Sequence, residues 1–248
     1  MKERRSKLFG LLVFLMLTFG FVYLMITGSK ANVKEVYNHI EITRNNLLAG
    51  NEYLRMTGLN DSTEYQELTL LNVKTKIEKH PYLRKAEVEF DGINKILVEV
   101  EEHNIKAVLL QKNKLKLITD VFEILPLFPP TDIKDFPVIS NLNRNEKDSL
   151  NNQYLVYAFR VIDALSLTDE DIRESLAEIN IRRGGDMILT FTGLKYPVLF
   201  GKSNEVKKAL ILKDLWPKLT DDYNIEYVDL RYNNQVLLGK RKSELADG

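Results

Sequence analysis

The chain has 248 residues, 44% hydrophobic and 28% charged, a globular composition with room for one or two domains. Lysine plus arginine and aspartate plus glutamate both number 35, but beyond residue 27 the count is 31 basic against 34 acidic groups. That mildly acidic body lacks the basic stripe nucleic acid demands, and the absence of cysteine excludes disulfides, thiolate metal sites and a cysteine nucleophile.

Residues 8–27 carry no charge and would span about 30 Å as a helix, the thickness of a hydrocarbon core. An uncleaved transmembrane helix is expected; a cleavable signal ending near Ser29-Lys30-Ala31 is the alternative. Lys2, Arg4, Arg5 and Lys7 precede the span, so residues 1–7 are expected to be a cytoplasmic tail and the body to lie outside. Residues 28–35 are a polar linker.

Residues 36–42 alternate like a short strand. Leu47, Leu54 and Leu59 surround a helical turn bounded by Gly50 and Gly58. Asn72 is placed to cap a second helix, with Val73 and Ile77 one turn apart, and Pro81 should stop it at His80, where a cation is mildly favoured. Ala86, Val88 and Phe90 alternate with Lys85, Glu87 and Glu89, Asp91-Gly92 supplies a turn, and Ile96, Val98 and Val100 return. The expected module is a three-stranded sheet with two helices on one face. Leu71-Asn72, Ile77, His80-Pro81-Tyr82-Leu83 and Ala86-Glu87-Val88 resemble a POTRA (polypeptide-transport-associated) domain over residues 36–105. Such a module directly behind a single span resembles the bacterial cell division family FtsQ/DivIB.

Residues 106–110 and 115–118 read as a hairpin around 111–114. Four of the seven prolines, Pro126, Pro129, Pro130 and Pro137, make residues 125–137 an extended connection. Strand character resumes at Val138-Ile139. Residues 151–167 form an amphipathic helix on Tyr154, Ala158, Val161 and Leu165. Residues 179–181 and 187–191 flank Arg182-Arg183-Gly184-Gly185-Asp186, a hairpin with a glycine turn. A short strand at 198–201 leads to a last helix over 204–219, capped by Ser203 or Asn204, whose final turn Pro217 should distort. Residues 225–240 read as a closing strand with Val228, Leu230 and Tyr232 on one face and Tyr227, Asp229 and Arg231 on the other. Asp229 and Arg231 are close enough to pair, and Asn233-Asn234 is turn-prone before Val236-Leu237-Leu238 resumes.

The fold class is therefore α+β: a single N-terminal transmembrane helix, the POTRA-like domain, then a mixed α/β domain over 106–240 with a largely antiparallel sheet, and a disordered tail over 241–248. Asp229-Leu230-Arg231-Tyr232 matches the closing strand of FtsQ-like proteins, and the run through Val236 resembles Bacteroidota-type members. The chain departs from the family at Asp91-Gly92-Ile93, where Trp-Pro is common, and at Glu102-His103-Asn104-Ile105, where a proline often follows the acidic-basic pair.

His39, His80 and His103 form no metal-ligand spacing. No nucleophile motif, phosphate-cradling glycine loop or shared carboxylate pair is present, so no catalytic residue, metal site, cofactor or small-molecule substrate is expected. The resemblance implies a non-enzymatic divisome scaffold at the septal cytoplasmic membrane. Its partners would be FtsB- and FtsL-like coiled-coil proteins, linking them to septal peptidoglycan synthesis, with other divisome components on the POTRA-like domain. It implies that the last strand takes a partner strand by β-augmentation. Tyr232 would be the aromatic anchor and Arg231 the partner of a carboxylate. Asn233, Asn234, Gln235 and Val236 would line the pairing edge, and Arg182 or Arg183 would add a basic contact. The residues by themselves leave open that Arg231 only neutralises Asp229 and that Tyr232 is core. An anchored wall hydrolase or another POTRA-type envelope assembly factor is the alternative function.

Overall fold

Alternating side chains and glycine turns build two sheets, each covered by helices, in a computed structural model that describes residues 13–23, 39–60, 68–142, 153–221, 224–233 and 235–240. Helix α1 (13–23), with exposed side chains, is the described part of the expected span. Among the described residues no helix is long and apolar enough to cross a membrane. Residues 8–12 and 24–27 of that span lie outside the described residues, as do 1–7, 28–35 and 241–248.

The first sheet has the order β1-β3-β2, built from β1 (His39–Thr43), β2 (Leu83–Phe90) and β3 (Lys95–Glu102). Strand β1 runs parallel to β3, which pairs antiparallel with β2. Asp91 makes the β2–β3 turn by accepting the backbone N–H groups of Ile93, Asn94 and Lys95 on Oδ1. Helices α2 (Gly50–Met56) and α3 (Leu70–Ile77) cover the apolar face. Gly50 opens α2 and Gly58, at φ +69°, follows its end, so the two glycines bound the helix as expected. Ile42 Cβ lies 3.3 Å from where a Cβ on Gly50 would stand. Thr69, not Asn72, caps α3, its side chain accepting the Asn72 N–H at 3.2 Å.

His80 is no helix-end cation. The helix stops at Ile77, and His80 is buried with Nδ1 accepting the Tyr82 N–H at 3.2 Å. Its ring packs against Tyr53, Tyr82 and Phe128. Burial lowers its pKa from the ordinary 6.5 to about 4, so it is neutral.

The second sheet has nine strands in the order β12-β11-β10-β9-β8-β7-β4-β5-β6. These are β4 (Ile105–Gln111), β5 (Lys114–Thr119), β6 (Ile124–Pro126), β7 (Val138–Ser140), β8 (Leu176–Ile181), β9 (Met187–Phe191), β10 (Val198–Gly201), β11 (Ile225–Asp229) and β12 (Leu237–Lys240). Three of its pairings, β4–β7, β7–β8 and β10–β11, are parallel and the rest antiparallel. Helices α4 (Gln153–Thr168) and α6 (Glu205–Asp221) pack on one face over Ile139, Ile179, Leu189, Phe200 and Val228. Between them lies α5 (Glu170–Ser175), which the periodicity misses; its Asp169 cap accepts the Ile172 N–H at 3.3 Å. Helix α6 runs through Pro217 to Asp221, two residues past its expected end.

The proline-rich stretch is only partly an extended connection. Leu125 and Pro126 belong to the edge strand β6, and Leu125, Leu127, Phe128, Ile133 and Phe136 pack against the core of the first sheet. Ile105, Val108 and Leu117 of the second sheet belong to that same core.

Candidate functional site

Strand β11 does not offer its outer edge, because β12 of the same chain already pairs with it, antiparallel, from Ile225↔Lys240 to Asp229↔Leu237. The closing strand is thus two strands. Strand β11 stops at Asp229 because its carboxylate accepts the backbone N–H of Arg231 at 3.0 Å on Oδ1, folding the chain into an Asx turn. Arg231, Tyr232, Asn233, Gln235 and Val236 therefore lie in the connection between β11 and β12 instead of along a strand. Asn234 lies outside the described residues. Tyr232 does not share the core face with Val228 and Leu230: both of those are buried, whereas Tyr232 is 52% exposed.

The expected Asp229–Arg231 pairing is present and bidentate. Arg231 Nε donates to Oδ1 at 2.9 Å and Nη2 to Oδ2 at 2.6 Å. These bonds hold the buried Asp229 carboxyl below its usual range against the opposing effect of burial, and they raise Arg231 further. The remaining nitrogen, Nη1, stands 3.9 Å from Asp186 Oδ2. Both residues line a cavity of about 550 Å³ together with Arg182, Arg183, Met187, Ile188 and Leu199.

Sheet register explains this convergence. Ile188 pairs with Leu199 and Leu199 with Asp229, so the three side chains share the sheet face opposite α4 and α6. The β8–β9 hairpin, with Gly184 and Gly185 both at positive φ, brings Arg182 and Arg183 to the rim. Lys202, after β10, donates to the Gly184 carbonyl at 3.0 Å. Lys208, on α6, is buried, and burial lowers its pKa. Three arginines and one carboxylate thus line the cavity with half-buried Ile188 and Leu199, while Asp229, Lys202 and Lys208 bond to the segments behind it. Such a site suits an acidic side chain carried on an apolar segment.

Asp186, Ile188, Leu199, Lys202 and Lys208 escape the sequence reading. The period-two match of Ile188 with Leu199 becomes visible only once β9 and β10 are paired. Strand β12 closes the sheet beside this cavity with Leu237 and Leu238 exposed. A separate cavity of about 690 Å³ lies where β3 leads into β4, lined among others by Arg44, Lys85, Glu87, Glu99 and His103. Its charged groups are taken up one by one, Arg44 by Glu99, Lys85 by Glu87, Glu101 by Arg84 and Glu102 by the Tyr53 hydroxyl. No group of three metal-ligating side chains gathers among the described residues.

Two sheets in series, the first covered by two helices and the second ending in a strand pair beside a basic cavity, define a two-module α/β protein of the POTRA class. The FtsQ-type POTRA domain model matches residues 37–103, and the model for the C-terminal region of the cell division protein FtsQ/DivIB matches residues 95–231. The chain belongs to the FtsQ/DivIB family of cell division proteins. It is 23% identical over 211 residues to the cell division protein FtsQ of Syntrophotalea carbinolica, covering 83% of this chain and 74% of the relative. It is 25% identical over 209 residues to FtsQ of Koribacter versatilis, covering 82% of this chain and 60% of that longer relative. A shorter match, 24% over 102 residues, relates it to the cell division protein DivIB of Geobacillus kaustophilus, covering 41% of this chain and 39% of that protein.

Proposed function

We propose that the chain is a non-enzymatic divisome scaffold that captures an FtsB-like coiled-coil protein, and FtsL with it, outside the cytoplasmic membrane. The observation that carries this reading is the position of β12, the outermost strand of a nine-stranded sheet, beside the cavity that holds Arg182, Arg183 and Arg231. An incoming strand would pair with the backbone of residues 237–240. The receiving edge is thus β12, while the connection from Arg231 to Val236 flanks it. Tyr232, half-exposed on that connection, would pack against an apolar residue of the partner. Arg231 Nη1 and one of Arg182 and Arg183 would receive its carboxylates.

Residues 8–27 would anchor the scaffold as a single span with its N-terminus in the cytoplasm and its body in the periplasm at the septum. The domain limits follow that plan: an anchor, a POTRA-like domain to residue 105 that receives other divisome components, and the nine-stranded module to residue 240.

Tyr232→Ala is expected to lower capture of the FtsB-like protein at least tenfold while the body stays folded, the loss typical of a central interface anchor. Arg231→Glu should lose at least as much and also cost stability, because it removes the bidentate partner of the buried Asp229. Capture equal to that of the unaltered chain by both variants would refute the reading. A reporter active only in the periplasm, fused after Lys240, should be active; activity of a cytoplasm-only reporter at that position would reverse the topology.

A further inference from the structure

We propose that Lys208 is a positioning residue for the basic cavity: its buried ammonium ties together the backbone segments that carry Arg182, Arg183 and Arg231. This rests on the reading of that cavity as a partner-binding site.

Lys208 lies on the core side of α6 and is 7% exposed. An ammonium buried to that degree is retained only when its protons are taken up. Lys208 Nζ donates to the Phe200 carbonyl at 2.7 Å and to the Lys202 carbonyl at 3.4 Å, the two carbonyls that flank Gly201. It also stands 5.3 Å from the centre of the Phe200 ring. The ammonium therefore clamps the turn that leaves β10.

Two connections lead from this clamp to the arginines. Gly201 has φ +71°, and a Cβ there would stand 2.8 Å from Arg231 Cγ and 3.5 Å from Lys208 Nζ. The Arg231 stem and the ammonium share the space that a side chain at 201 would fill, so the position of Gly201 sets where Arg231 lies. Lys202, whose carbonyl is clamped, sends its own Nζ to the Gly184 carbonyl at 3.0 Å, in the hairpin turn directly after Arg182-Arg183. One side chain from a helix thus fixes the end of β10, and through it both the hairpin and the Arg231 stem. Against the burial that disfavours it, the charge on Lys208 is favoured by Glu205, then by Asp186 and Asp229, the two carboxylates that also pair with Arg231.

Lys208→Met keeps the apolar stem and removes the ammonium. In the full chain in detergent micelles, the Arg231 Nε–Hε resonance should be sharp, since Asp229 holds that proton. In the variant it should shift and broaden, and the Gly184 and Gly201 amides should exchange faster. Capture of the FtsB-like protein should fall about tenfold, within the range of coupling through a packed network. Lys208→Arg, which restores the charge, should recover the Arg231 resonance. An unchanged Arg231 resonance in Lys208→Met overturns the proposal, and so does lost capture with the Gly184 and Gly201 amides undisturbed. If Lys208→Met does not fold, Lys202→Met, at an exposed position, tests the hairpin connection alone: faster Gly184 exchange with capture lowered severalfold supports the proposal, and no change in either overturns it. Failure of the site reading is seen separately, as full capture by Arg231→Glu, while the Arg231 resonance in Lys208→Met still reports on positioning.

Discussion

At its β6 end the nine-stranded sheet stops against the chain itself, whereas beyond β12 no further strand follows among the described residues. Strand β6 is three residues long and includes Pro126, which has no N–H to offer a neighbour. Its Pro126 carbonyl accepts the Tyr82 hydroxyl at 3.0 Å. That hydroxyl also accepts the Phe128 N–H at 3.1 Å and lies 2.8 Å from Thr131 Oγ1. The segment after β6 then packs into the first module's core. Strand β12 has no proline and exposes Leu237 and Leu238. Proteins usually blunt a sheet edge, so an edge covered by the chain's own core serves folding, and one left uncovered is where another strand can add. Changes at the closed end should therefore alter stability with little effect on capture by the folded protein, and changes at the open end should do the reverse.

The largest expected effect is at the closed end and depends on pH. His80 is held neutral between Tyr53, Tyr82 and Phe128, with its Nε2 finding no hydrogen-bond partner among the described residues. Glu102, the carboxylate nearest this cluster in the bonding network, is itself taken up by the Tyr53 hydroxyl at 2.5 Å and by the Asn46 and Leu47 N–H groups. In the unfolded chain His80 takes a proton near pH 6.5, but in the folded protein only near 4. Between those values the unfolded state binds more protons, so stability rises with pH through the window. The stability is fully present above pH 6.5 and is lost as pH falls toward 4, by roughly 3 kcal/mol over the window. Denaturant unfolding between pH 4 and 7 should show this slope, and His80→Gln should flatten it. An equal slope in the variant would place the proton uptake elsewhere.

Tyr82→Phe comes next. It removes one hydroxyl and leaves the Phe128 N–H, the Pro126 carbonyl and Thr131 short of a partner, at a cost of about 1–3 kcal/mol. Thermal unfolding measures it, together with capture by the folded variant, which should be unchanged. A capture defect here as large as that of Arg231→Glu would end the division of labour between the two ends.

Little of this contrast was legible in the sequence, and the reason is the range of the contacts. Local patterns were readable: the alternation of Ala86, Val88 and Phe90, the Asp91 turn, the α4 stripe, the Arg182–Asp186 hairpin and the Asp229–Arg231 pair all act over a few residues. The proline-rich segment has no periodicity, and its partner Tyr82 lies 44 residues before Pro126. The break near Asn233-Asn234 and the strand that resumes before Leu238 were readable, but that β11 ends already at Asp229, whose carboxylate takes the Arg231 N–H, is something an alternation pattern does not record. Lys208 was hidden for another reason. A lysine within a charged helix ordinarily faces water, and the acceptors that draw this one inward, the carbonyls of Phe200 and Lys202, come from the end of β10 and the turn that leaves it, outside the helix itself. The three arginines were named from the resemblance, but the cavity that unites them depends on the β9–β10–β11 register.

The smallest change in stability is expected at the open end, where it tests what the edge recognises. Gly239 stands opposite Tyr227 across β11 and β12, and a Cβ there would come within 2.3 Å of the Tyr227 ring. The ring lies across the glycine on the outermost strand and is 39% exposed, so it can swing into solvent instead of straining the backbone. Gly239→Ala should therefore change folding stability by less than about 1 kcal/mol, since the gain from replacing a strand glycine opposes the lost ring contact. The displaced ring would stand over the edge that an added strand must approach, and capture should fall severalfold even though folding is almost untouched. Tyr227→Ala, which clears the ring, separates the two contributions. Capture restored in Gly239→Ala/Tyr227→Ala means that the β12 backbone itself is the receiving surface. Capture still lost in the double variant means that the Tyr227 ring is part of what the partner contacts, and recognition at the open end then extends from the strand edge onto the sheet face that leads to the Arg231 cavity.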